Sequence, residues 1–121
     1  MKWDIKADRP IYLQLVEQIQ LGIIAGQFPI GTKLPSVREF AAEVGVNPNT
    51  MQRALAVLET EGLIYAQRTS GRFITEDEEK IMELKTALAN EQIQAFLKHM
   101  EKIGYSIQDV IKLIQNQQKE V

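Results

Sequence analysis

The sequence predicts a mainly α-helical chain with one small β-hairpin: a winged helix-turn-helix over residues 1–75 and a two-helix tail over residues 76–121. Three observations carry this. Two short helical stretches, split by a tight turn centred on Gly45, follow a longer amphipathic one. Two β-prone runs with a turn between them come next. The composition then shifts at Glu76-Asp77-Glu78-Glu79, four acids that suit the positive N-terminal end of a new helix.

The first helix opens at Pro10, a residue favoured at the first helical position. Tyr12, Leu15, Val16, Ile19 and Ile23 form its apolar face, and Gly26 stops it. Phe28-Pro29-Ile30-Gly31 reads as a turn, and Lys33-Leu34 as a strand of one or two residues. Ser36 and Glu39 have capping-box spacing for a second helix carrying Val37, Phe40, Ala41 and Val44. Gly45 ends it in the left-handed conformation. Asn47-Pro48 then supplies an N-cap and a first-turn proline for a third helix, which runs to about Glu61 and buries Met51, Ala54, Leu55 and Leu58. Leu63–Gln67 and Arg72–Thr75 read as strands around an Arg68–Gly71 turn. A fourth helix follows the acids to about Ile103, Gly104 breaks it, and Ser106 with Asp109 caps the last one. The Gln115–Gln118 stretch reads as a frayed end, and Trp3 is expected to pack on the wing or tail.

Composition excludes several function classes. The chain has 121 residues, 14 Lys+Arg against 16 Asp+Glu, one His and no Cys. Disulfides, thiol catalysis and Cys-ligated zinc are therefore out. His99 has no second ligand nearby and reads as a surface or interface residue, so no metal site is expected. No glycine-rich phosphate loop, nucleophile elbow or paired-carboxylate pattern is present, so neither a cofactor nor an enzyme is expected. No apolar run approaches the roughly 20 residues of a membrane span, and the N-terminal MKWDIKADRP has no apolar signal core, so a cytoplasmic location is expected. The formal net charge of −2 divides unevenly: residues 1–75 carry 8 basic and 7 acidic residues, residues 76–121 carry 6 and 9. Nucleic-acid binding needs a local basic patch, so the total does not decide the matter.

The third helix is where the chemistry gathers. Opposite its core face lie Asn49, Gln52, Arg53 and the small Ala56. Asn and Gln can bond adenine through two hydrogen bonds, and Arg can do so to guanine. Thr50 in the first turn is placed to donate to a phosphate. Arg38 at the start of the second helix reads as a phosphate clamp. Arg68 and Arg72 flank the hairpin tip, where Gly71 allows close approach to a nucleic-acid backbone.

These residues resemble the GntR-type regulators. The likeness runs through Pro10-Ile11-Tyr12-Leu13-Gln14, Gly31-Thr32-Lys33-Leu34-Pro35-Ser36-Val37-Arg38-Glu39, Val46-Asn47-Pro48-Asn49-Thr50-Met51-Gln52-Arg53-Ala54 and Leu58-Glu59-Thr60-Glu61-Gly62-Leu63-Ile64, covering about residues 9–75. The resemblance implies a bacterial transcription regulator, a repressor that binds operator DNA as a homodimer. It implies DNA contacts at Arg38, Thr50, Gln52, Arg53 and Gly71, with Ser36 matching as well. The family's usual arginine is replaced here by Pro48, and its Gly-x-Gly hairpin tip has Ser70 beside Gly71. The Asn-Pro-Asn-Thr form is similar to the short YtrA-like branch, which implies transporter genes as targets.

The tail cannot bury its own apolar faces. Leu84, Leu88, Phe96, Met100, Ile103, Val110, Ile111 and Ile114 are expected to pair two copies of the chain through a compact four-helix interface. The two third helices would then stand about one DNA turn, roughly 34 Å, apart and read a palindrome. A small-molecule effector acting at this interface, or between wing and tail, is the further expected partner. The alternative reading is a winged-helix protein-interaction module without specific DNA binding, supported mainly by the low net charge and opposed by the polar face of the third helix.

Overall fold

The computed structural model describes residues 2–119. Two compact units divide within one helix, the first reaching Leu84 and the second starting at Lys85.

In the first unit, α1 (Ile11–Ile24) packs on α3 (Pro48–Thr60), and α2 (Val37–Val44) packs on α3 from a second direction. The core is the set that helical periodicity selects. Leu15, Val16, Ile19 and Ile23 meet Phe40 and Ala41 of α2 and Met51, Ala54, Leu55 and Leu58 of α3. Leu34, Leu63, Ile64 and Ile74 close it. The chain turns sharply between α2 and α3 because Gly45 adopts φ 87°, a conformation that costs side-chain-bearing residues about 1 kcal/mol or more. Asn47 then accepts the Asn49 N–H at 2.8 Å and starts α3. Ser36 does the same for α2, accepting the Glu39 N–H at 3.2 Å.

The hairpin pairs β1 (Ile64–Gln67) with β2 (Gly71–Ile74), antiparallel, with Ile64 opposite Ile74 and Gln67 opposite Gly71. Residues 31–34 run beside β2. The Leu34 N–H donates to the Arg72 carbonyl at 2.9 Å, and the Ile74 N–H to the Thr32 carbonyl at 2.9 Å. The short strand expected at Lys33-Leu34 therefore exists as a bridge between Lys33 and Phe73. It anchors the wing to the segment that leads into α2.

The N-terminal arm is held in an unexpected way. Gln14 is 2% exposed, and its amide nitrogen donates to the Lys6 and Arg9 carbonyls while its oxygen accepts the Lys6 N–H. Gln18, one turn on, forms the matching two-way pair with the Asp4 backbone. Two glutamines thus act as a strand edge for residues 4–6, leaving Trp3 and Ile5 to pack against the core. Trp3 lies edge-on to Phe40 of α2 at 5.7 Å, so it packs on the helix-turn-helix rather than on the wing or tail.

The helix that follows, α4 (Glu78–Lys102), begins later than its acids suggested. Asp77 accepts the Lys80 N–H at 3.2 Å, and Glu76 lies ahead of the helix. Ile81 and Leu84, three residues apart on α4, pack against the first unit's core. The first unit therefore extends past residue 75, and Leu84, expected in a dimer interface, is engaged within one chain.

In the second unit, Gly104 (φ 95°) ends α4, and α5 (Ile107–Lys119) follows. Ser106 and Asp109 form both halves of the capping box, at 3.1 and 3.2 Å. The Ser106 backbone N–H, and after it the Ser106 hydroxyl, hold the Asp109 carboxyl below its ordinary pKa. Gln115–Gln118 continue α5 rather than fray, consistent with the good helix propensity of glutamine. Val110 is 3% exposed, so it too is already covered within one chain.

Candidate nucleic-acid interface

The polar face of α3 is built by elimination. Met51, Ala54, Leu55 and Leu58 are buried, so the helix turns Asn49, Gln52, Arg53 and Ala56 outward. All four are exposed, and Thr50 in the first turn is half-buried. The Asn49 backbone N–H serves the helix cap, which leaves its side-chain amide available.

Arg53 is held from outside the helix. Its guanidinium carbon lies 3.7 Å above the centre of the Tyr12 ring of α1. Gln52 is also held, its Oε1 accepting from Arg72 Nη2 of β2 at 3.3 Å. Arg72 in turn donates through Nε to Glu59, one α3 face-repeat beyond Gln52. Arg72 therefore does not stand free at the hairpin tip to meet a phosphate. It is ion-paired, its side chain 22% exposed, and it fastens the wing to α3.

A cleft of about 750 Å3 opens between the wing and the start of α2, with Lys33, Ser36, Gly71 and Thr69 on its walls. Gly71 has φ 106°, and a Cβ there would come 3.1 Å from the Lys33 Cε. The backbone conformation therefore favours glycine, while the flexible Lys33 side chain would need to give by only a few tenths of an ångström. The Ser36 hydroxyl keeps a free proton for a ligand while its oxygen caps α2. Arg38 and Arg68 are exposed, and neither has an acidic partner among the described residues.

Ser36, Gly71 and Arg72 line one cleft, Arg72 bonds Gln52, and Arg53, next to Gln52 on α3, rests on Tyr12. Arg38, Asn49, Thr50 and Arg68 are placed by their elements alone. Sequence reasoning missed three residues. Lys33 could have been found by strand alternation, because its neighbour Leu34 points inward. Glu59 lies seven residues after Gln52, nearly the same direction on a helix. Tyr12 carried no such signal, since it fits the apolar spacing of α1.

No described helix is long and apolar enough to cross a membrane. No cluster of three or more His, Asp or Glu that could hold a metal ion occurs among the described residues. His99 is exposed in the last turn of α4.

Such a fold, with a polar reading helix braced by a basic wing, defines a winged helix-turn-helix DNA-binding regulator. The chain belongs to the gntR family of bacterial regulatory proteins, whose pattern matches residues 11–74. It is 37% identical over 107 residues to the HTH-type transcriptional regulator YhcF of Bacillus subtilis, covering 88% of each chain. It is 36% identical to the HTH-type transcriptional repressor YtrA of the same organism, over 78% of this chain and 73% of that one. A solved GntR family transcriptional regulator from Listeria monocytogenes superposes with a TM-score of 0.85 at 37% identity, covering 93% of this chain and 98% of the other. The family is one of DNA-binding transcriptional regulators, not of enzymes, and YtrA-type regulators are among the relatives of this chain.

Proposed function

We propose that the chain is a cytoplasmic repressor that binds a palindromic operator as a homodimer. The observation that carries the DNA reading is the outward face of α3: Asn49, Gln52 and Arg53 are exposed while every apolar residue opposite them is buried. Inserted in the major groove, this face offers two amides and one guanidinium to base edges. Lys33, Ser36, Arg38, Thr50, Arg68 and Gly71 supply the backbone contacts that fix register. Few cations are free, so binding neutralises about 3–4 phosphates per subunit and its salt dependence is moderate.

The dimer reading rests on the second unit. Within α4, 25 residues long, no residue is buried. Phe96, Ile103, Ile111 and Ile114 are 46–67% exposed. A second copy covers these side chains and sets two α3 helices against successive major grooves. Leu88 and Met100 are already half-buried within one chain and would contribute only their remaining surface. Control of transporter genes follows from the likeness to the YtrA-like branch. The effector has room in a cleft of about 530 Å3 lined by Leu97, Lys98, Glu101, Tyr105 and Ile107, within the roughly 300–1,000 Å3 of drug-sized sites.

Selection from random DNA with the purified protein, with its mass measured in solution, tests this reading. Enrichment of an inverted repeat with half-sites about 10 base pairs apart is expected from a dimer. A folded dimer that enriches no sequence returns the weight to a protein-interaction module. Ile111→Glu should yield a folded monomer with much weaker operator binding.

A further inference from the structure

We propose that Tyr12 of α1 is a positioning residue for base recognition, acting as a platform that presets the Arg53 guanidinium for guanine. The inference rests on the DNA reading above and names how one of its contacts is made.

The argument starts from the contact itself. A guanidinium carbon 3.7 Å from a ring centroid is in van der Waals contact with the π face. The quadrupole of the ring attracts the cation there. Stacking occupies the face of the guanidinium and leaves its N–H edge free. Guanine is recognised through that edge, by two hydrogen bonds to O6 and N7. The same contact therefore fixes the plane of the side chain without consuming the groups that read the base.

Tyr12 is suited to be the fixed partner. It is half-buried and packs against the core beside Leu15 and Val16, so its ring is held by packing. Arg53 is exposed and, among the described residues, has no acidic partner. A free arginine on a surface helix would sample many rotamers and lose that freedom on binding. The ring removes much of the loss beforehand, which makes recognition tighter without adding a contact to DNA. Gln52 has its own partner from the wing, so each of these neighbouring reading side chains is preset by an element outside α3.

The test uses the full-length chain and the operator that the wild type selects from random DNA. Tyr12→Leu removes the π face, and Tyr12→Phe keeps it. Tyr12→Leu is expected to bind the selected site about fivefold more weakly, with unchanged affinity for random DNA. Its own selection should lose preference at the same base pair that Arg53→Ala loosens. Tyr12→Phe should match the wild type. In the double variant the two losses should not multiply. A ring-current shift of the Arg53 Cδ protons, present in the free wild type and in Tyr12→Phe, reports the stack independently of DNA and of any loss of stability. A Tyr12→Leu protein that keeps the full base preference overturns the proposal, as does a missing ring-current shift. Losses that multiply in the double variant also overturn it. A wild type that selects no sequence overturns the DNA reading and this inference together.

Discussion

The ion pair between Arg72 and Glu59 leads to an unusual expectation: weakening the fold should strengthen non-specific DNA binding. The perturbation is Glu59→Ala, which removes the acceptor while keeping a good helix former in α3. The side chains of the pair are 22% and 33% exposed. Fully exposed pairs contribute about 0–1 kcal/mol, and hydrogen bonds to charged groups about 1.5–3. Partial shielding puts this one near 1 kcal/mol, or a fall in Tm of about 5 °C for a domain of this size. The same change frees one guanidinium per subunit and deletes one carboxylate beside it. Each phosphate newly neutralised steepens the log–log salt slope by about 0.9 and raises affinity for random DNA several-fold at ~0.1 M salt. Thermal melting and fluorescence anisotropy across a salt series read the two effects. A melting temperature that falls while the salt slope stays fixed would mean that Arg72 is not released by losing Glu59. If neither quantity moves, the wing is not fastened to α3 by this pair.

Other perturbations separate in the same way. Gln14→Ala leaves the Lys6 N–H and the Lys6 and Arg9 carbonyls without their side-chain partner and should cost about 2–3 kcal/mol in urea denaturation, whereas Gln18→Ala, whose bonds are exposed, should cost under about 1. Phe40→Ala, at a site 1% exposed, should cost about 3–5 kcal/mol and shift the fluorescence of Trp3, the single tryptophan, because the indole loses its edge contact. The Asp109 carboxyl, held below its ordinary pKa of 3.8 by the hydrogen bonds from Ser106, supports α5 fully above that value and loses this support as pH falls through the lowered one. Residue-resolved amide spectra should show α5 loosening first at its N-terminal turn below pH 3.8; Asp109→Asn should abolish that pH dependence, whereas Ser106→Ala, which keeps the backbone N–H donor, should only reduce it.

Local chemistry made most of the first unit legible. Asn47-Pro48 and Ser36 fixed helix starts, Gly45 fixed a stop, and 3.6-residue spacing named Met51, Ala54, Leu55 and Leu58 as core. The outward face of α3 followed from the same spacing. What escaped needed partners distant in sequence. Tyr12 and Arg53 are 41 positions apart, and Tyr12 satisfies the apolar pattern of α1 whether or not a cation rests on it. Arg72 looked like a free basic residue of a hairpin tip until β2 packed it beside Glu59. Gln14 and Gln18 looked like surface polar residues, because nothing local says that a preceding arm will return to use them as a strand edge.

The misplacement of Arg72 also bears on the charge of the chain. A formal net charge of −2 argues against DNA binding, and tying up Arg72 removes another cation from the count. Recognition nevertheless depends on where charge is fixed rather than on how much there is. Arg72 is used to hold Gln52, and Tyr12 to hold Arg53, so the helix surface gains order at the expense of bulk attraction. On the proposed reading, binding to random DNA is expected to be weak and base edges to supply a large share of the affinity. For the same fold, adding surface lysines near the wing should raise both specific and non-specific affinity and narrow the ratio between them. Relaxing Tyr12 should lower specific affinity alone. A ratio that responds equally to both changes would show that order on α3 contributes nothing that charge does not.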